Sequence, residues 1–143
     1  MAENGVVKEP LTKAMIHAGA ELTKKLDELQ WPVHASLWLY ESEGNQWKLL
    51  LASPRVTADG PKRSYEVIQT ALAAIPNSKG AIALSDIGVT DPDNPLIALL
   101  GMSIGTSPTV RGIRFKRNAI NGHFIEDAYI YRVAAKAPIP KAV

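Results

Sequence analysis

Apolar residues recur at steps of three and four from Leu11 to Leu29: Leu11, Met15, Ala18, Leu22, Leu26 and Leu29. That period predicts an amphipathic helix. Pro10 suits its first turn, Trp31-Pro32 ends it, and Gly19 weakens its middle. The pattern then changes. Val33–Glu41 and Trp47–Ser53 are rich in large apolar residues and flank Gly44-Asn45, which predicts a β-hairpin with a two-residue turn. That turn places Glu41 opposite Lys48, Leu39 opposite Leu50 and Trp38 opposite Leu51. Leu37 and Leu39 point to one face, and Trp38 and Tyr40 to the other, so the hairpin is expected in mid-sheet with cover on both sides.

Ser53–Lys62 reads as a loop. A second helix follows, with Asp59 as its cap, Pro61 in its first turn and Tyr65, Ile68, Leu72 and Ile75 as its buried stripe, until Pro76-Asn77 stops it. Ala81–Ser85 reads as a short interior strand and Asp86–Pro95 as a turn-rich loop. Asn94-Pro95 opens a short helix running to about Met102, and Gly105–Thr109 is a loop. Arg111–Ala119 and His123–Ala134 flank Asn121-Gly122, the strongest short hairpin signal. Its register sets Arg117 against Glu126, Lys116 against Asp127, Ile113 against Ile130 and Arg114 against Tyr129, the last a cation–π opportunity. It also sets Arg111 against Arg132, an unfavourable pair.

The order α-β-β-α-β-α-β-β predicts one α+β domain over residues 10–134. Its sheet, mixed or antiparallel, has about five strands with two main helices and one short one. Residues 1–9 and 135–143 read as flexible tails. A chain of 143 residues is long enough for one real core. It has no cysteine, which removes disulfides, thiolate metal sites and cysteine nucleophiles, and fits a cytoplasmic setting. No stretch is apolar for long enough to cross a bilayer, and residues 1–10 have no signal-peptide core.

Net charge is only +2, but it is unevenly spread: residues 1–107 carry −3 and residues 108–143 carry +5. A basic final third predicts a surface for anions, whether nucleic acid, phosphate or an acidic partner. The candidate residues are Arg111, Arg114, Lys116 and Arg117 on the first strand of the last hairpin, beside Tyr129 and Tyr131. Cations neutralise phosphates and rings stack on bases. Arg114 and Lys116 are expected on the face of Tyr129, with Tyr131 off it. The same charges also suit an edge strand protected against aggregation.

Lys62 and Arg63 sit at a predicted helix start behind Gly60, where unpaired N–H groups favour an anion, and Arg55 is near in sequence. Asp86, Asp91 and Asp93 offer hard oxygen ligands, although turn and capping chemistry accounts for them and no calcium-loop spacing is present. His123 with Glu126 and Asp127, and His34 with Ser36, are the arrangements that resemble acid–base or nucleophilic chemistry. Strand geometry separates the first group, and no nucleophile elbow surrounds the second. His17 is expected on the wet side of the first helix. Three scattered histidines match no zinc spacing.

The sequence therefore points to a non-enzymatic binding domain without a cofactor, contacting nucleic acid or another polyanion through the basic hairpin. The rivals are a divalent-metal hydrolase or nuclease using Asp86, Asp91 or Glu126, and a homodimeric structural or adaptor protein joined through the aromatic hairpin or the first helix.

Overall fold

A computed structural model describes residues 7–76, 81–104, 110, 112–120 and 122–134. The elements are α1 (Lys13–Glu28), β1 (Ala35–Glu41), β2 (Gln46–Ala52), α2 (Arg55–Asp59), α3 (Pro61–Ala73), β3 (Ile87–Thr90), α4 (Pro95–Ser103), β4 (Ile113–Ile120) and β5 (His123–Val133). The five strands form one mixed sheet in the order β3-β2-β1-β5-β4, with β3 parallel to β2 and the other neighbours antiparallel. The predicted α+β architecture and element order are those of the structure, with α2 as an addition. Among the described residues, no helix is long and apolar enough to cross a membrane.

The two-sided hairpin lies mid-sheet with cover on both faces. Trp38, Tyr40, Trp47, Leu49 and Leu51 are buried with Leu22 and Leu26 of α1 and Ile68 and Ala71 of α3. Leu37, Ala52, Ile130 and Val133 are buried on the other face with Ile97 and Leu100 of α4. The aromatic face proposed above as a dimer contact is thus covered by the chain's own helices.

The first hairpin pairs Glu41 with Gln46, Leu39 with Lys48 and Trp38 with Leu49, a register two residues away from the expected one. Asn45, at φ +47°, closes a four-residue loop by donating its N–H to Ser42 O at 3.2 Å. Longer hairpin loops are commonly built around such a turn. A slip of two preserves the side-chain period, so every residue keeps its expected face.

Three local expectations change. Ala81–Ser85 is not a strand: Asp86 Oδ2 accepts the Ala83 N–H at 2.9 Å, Leu84–Asp86 coils into a 3₁₀ turn, and the strand is Ile87–Thr90. The loop after β2 holds α2, where Arg55 pairs with Asp59 at 2.9 Å. Asp59 is therefore engaged, and Gly60, at φ +88°, occupies the cap position of α3 instead. Residues 7–9, read as tail, lie against the first hairpin through Asn45 and Trp47.

The second hairpin keeps its predicted register from Ile113↔Ile130 to Lys116↔Asp127. Arg117 then takes φ +43° and leaves the ladder, which resumes at Asn118↔Ile125. The alternation restarts out of step, so Ile125 and Ala128, three apart, both lie in the core under α4. Asn121 falls outside the described residues.

Candidate functional site

Strand β5 carries an extra residue opposite β1. Ser36 pairs with Arg132 but Leu37 pairs with Ile130, which leaves Tyr131 unopposed as a bulge. Both Tyr131 and Arg132 then reach α1. Tyr131 accepts the Trp38 indole N–H at 2.9 Å and donates to Ile16 O at 2.5 Å. Burial pushes the Tyr131 pKa well above the usual phenol value, so it stays a neutral donor. Arg132 donates to both carboxylate oxygens of Asp27 at 2.9 and 2.7 Å, and to Val33 O at 3.1 Å. Gly19 lets α1 come this close: a Cβ there would lie 2.4 Å from the Tyr131 hydroxyl. These contacts fix α1 alongside the outer half of the sheet.

A groove of about 370 Å³ opens between α1 and the β4–β5 hairpin. Lys13, His17, Ala20 and Lys24, at helical steps of four, three and four, line one wall, and Gly112, Tyr129 and Tyr131 line the other. Among the described residues, no carboxylate is in the lining. Glu21 stands beside it, 3.6 Å from Lys24. The Tyr129 hydroxyl has no hydrogen-bond partner among the described residues, and a Cβ at position 112 would lie 2.1 Å from it. Tyr129 and Tyr131 share this face, contrary to expectation, because residues two apart on a strand point the same way; their rings meet edge-on at 5.4 Å.

The basic residues fare differently. Arg114 is spent internally: Nε and Nη2 hold Asp127 Oδ1 and Oδ2 at 2.6 and 2.7 Å, and its guanidinium stacks 5.6 Å from the Trp47 ring instead of over Tyr129. Lys8 adds a third bond to Asp127, at 2.7 Å. Burial pushes the Asp127 carboxyl up, but the bonds and charges of Arg114 and Lys8 outweigh it and hold its pKa below the usual value. Lys116 is exposed on the Arg114 face of β4, and Arg117 is exposed at its irregular position; neither forms an ion pair among the described residues, including with Glu126. Strand β4 is a sheet edge, so its charges also protect it from pairing with other chains. Arg111 lies outside the described residues.

Lys62 and Arg63 start α3, which packs on α1 and toward β3. β3 and β4 are opposite edges of the sheet, four strand spacings or roughly 19 Å apart. Neither Lys62 nor Arg63 lines the groove between α1 and the β4–β5 hairpin. Arg63 pairs with Glu66 at 3.3 Å, and Lys62 is exposed.

The carboxylates do not converge either. Asp86 and Asp91 flank β3 at opposite ends. Asp91 accepts from Thr57 at 2.6 Å and from the Asp93 N–H at 2.9 Å, and these bonds lower its pKa. No group of three possible metal ligands occurs among the described residues. His34 is half-buried; desolvation lowers its pKa, against the opposing pull of Asp91 and Asp93. His123 is exposed at the hairpin end.

The sequence reading missed the α1 stripe, because Lys13, His17 and Lys24 look like an ordinary wet helix face. The signal was their spacing of four and seven residues along one side of α1, legible only once α1 was known to lie beside the basic hairpin. Comparison with protein-family models, with curated proteins and with solved structures finds no match.

Proposed function

We propose that this chain is a non-enzymatic binding module that takes an extended polyanion, single-stranded nucleic acid, along the groove between α1 and the β4–β5 hairpin. The observation that carries this reading is the meeting of Lys13, His17 and Lys24 with Tyr129 across a groove whose described residues include no carboxylate. Cations on one wall suit phosphates, and the hydroxyl-bearing ring on the other suits bases and sugars. Lys116 extends the basic track along β4, two residues beyond Arg114. Lys62 and Arg63 are outside it, and Arg114 positions the hairpin, with Nε and one N–H of Nη2 committed to Asp127.

The experiment is fluorescence anisotropy of labelled single-stranded RNA and DNA at several salt concentrations. Each phosphate contact on a single strand contributes a slope of about −0.7 in log K against log salt, so three or four contacts give a slope of about −2 to −3. Lys13→Glu with Lys24→Glu removes most of the binding, and Lys62→Glu leaves it unchanged. The absence of binding at low salt would sink the proposal.

A further inference from the structure

A second built site lies under the segment that precedes α1. Val7–Glu9 cross the first hairpin, and the contacts are those of a bound peptide. The Asn45 side-chain amide donates to Val7 O at 2.9 Å and accepts the Glu9 N–H at 2.9 Å, so it reads the two peptide groups that flank Lys8. The Tyr40 hydroxyl, donating to Asn45 Oδ1 at 2.6 Å, orients that amide. The Trp47 indole donates to Glu9 O at 2.8 Å. Between these anchors the Lys8 ammonium enters a pocket. It lies 4.7 Å from the Tyr40 ring centre, 5.7 Å from that of Trp47, and 2.7 Å from Asp127 Oδ2. Asp127 is 1% exposed, whereas Val7 is 83% exposed and its side chain is unread.

Lys8 is surplus to the charge balance of this pocket. Arg114 already holds both oxygens of Asp127. The ammonium makes a second cation on one carboxylate, so its departure strands no buried charge. Aromatic walls with a carboxylate floor are the chemistry that recognises an alkylammonium, and the amide clamp recognises extended main chain whatever its sequence.

We propose that this cleft is a binding site for a lysine-bearing extended peptide of a partner protein, filled here in cis by Val7-Lys8-Glu9. Its lining, Tyr40, Asn45, Trp47 and Asp127, is not that of the polyanion groove, although Arg114 adjoins both, and the proposal does not rest on that reading. Recognition reads one ammonium and the main chain on either side. Acetylation of the bound lysine removes the charge that both the rings and Asp127 require. The tethered strap competes at the millimolar effective concentration typical of a short connection, so a ligand in trans must displace it.

The test uses the full chain carrying Lys8→Ala and Glu9→Pro, which removes the ammonium and the N–H read by Asn45 and leaves every cleft residue intact. The probes are the blocked tripeptide Val-Lys-Glu and its Nε-acetyl-lysine and alanine counterparts. The readout is the Trp47 indole and Asn45 amide signals in ¹H–¹⁵N spectra. The lysine peptide should shift both signals saturably, and acetyl-lysine or alanine should weaken binding at least about tenfold, a loss matching the removed cation–π and ion-pair contacts. The wild-type chain should bind the lysine peptide more weakly than the opened variant. No shift up to about 10 mM peptide, well above the effective concentration of the strap, overturns the proposal. So does equal binding of the lysine and acetyl-lysine peptides. If the double variant does not fold, Lys8→Ala alone is titrated with n-butylammonium: a saturable Trp47 shift supports the pocket, and none overturns it.

Discussion

Arg114 and Asp127 form a two-bond pair across β4 and β5, with Nε to Oδ1 at 2.6 Å and Nη2 to Oδ2 at 2.7 Å. The most prominent cation of the basic hairpin is thus structural first. Asp127 is almost wholly buried, and removing its main partner leaves only Lys8 to compensate. Because the Arg114 side chain is 39% exposed, Arg114→Ala should cost less than a fully buried pair, about 1–3 kcal/mol. Denaturant unfolding checks the value.

The same carboxylate gives the domain an acid limb. The folded pKa of Asp127 is held below its unfolded value, so its contribution is fully present above the unfolded value of about 4 and is lost as pH falls through the folded one. Asp127→Asn should therefore be much less stable than wild type at neutral pH, and the gap should shrink in strong acid. A constant gap from neutral to strongly acidic pH would contradict this origin.

Gly19 and Tyr131 are matched in shape. A methyl group at position 19 would lie 2.4 Å from the Tyr131 hydroxyl and 2.8 Å from Trp38 Nε1. Alanine is the better helix former by about 1 kcal/mol. Gly19→Ala should nevertheless destabilise the fold, by about 1–3 kcal/mol from overpacking. Gly19→Ala with Tyr131→Phe should cost less than the sum of the two single changes, since the phenylalanine lacks the clashing oxygen. Additivity in the double-mutant cycle would refute the steric account.

Arg132 and Asp27 tie β5 to the end of α1, and Arg132 Nε is already buried without a hydrogen-bond partner among the described residues. Asp27→Ala leaves the guanidinium buried and uncompensated, whereas Arg132→Met removes the charge with its carbon stem replaced. Asp27→Ala should be the more damaging change, at about 1–3 kcal/mol given the partial exposure of Asp27. Thermal unfolding of the two variants gives the order directly.

Local chemistry made much of this fold legible in the sequence. The Asn94 cap holds the Leu96 and Ile97 N–H groups at 2.9 and 3.4 Å, as expected for Asn before Pro. The second hairpin's register followed from its turn dipeptide and matched pairs, and both faces of the first hairpin survived a register slip of two. What failed depended on tertiary context. Gly19 reads as a helix weakness in sequence and is a docking requirement in the structure. Arg114 reads as a ligand contact until Asp127 is seen beneath it. Lys13, His17 and Lys24 acquire meaning only from the strand they lie beside, and Lys62 loses its place because it does not line the groove between α1 and the β4–β5 hairpin.

The most direct measurement is the anisotropy titration of a labelled single-stranded oligonucleotide with three proteins: wild type, Lys13→Glu/Lys24→Glu and Lys62→Glu. Wild type and Lys62→Glu should bind in a salt-sensitive manner, with a loss of at least about tenfold for the groove variant, in keeping with two lost phosphate contacts at low salt. Absence of wild-type binding at low salt, or equal weakening by the groove and Lys62 variants, would contradict the proposed polyanion groove.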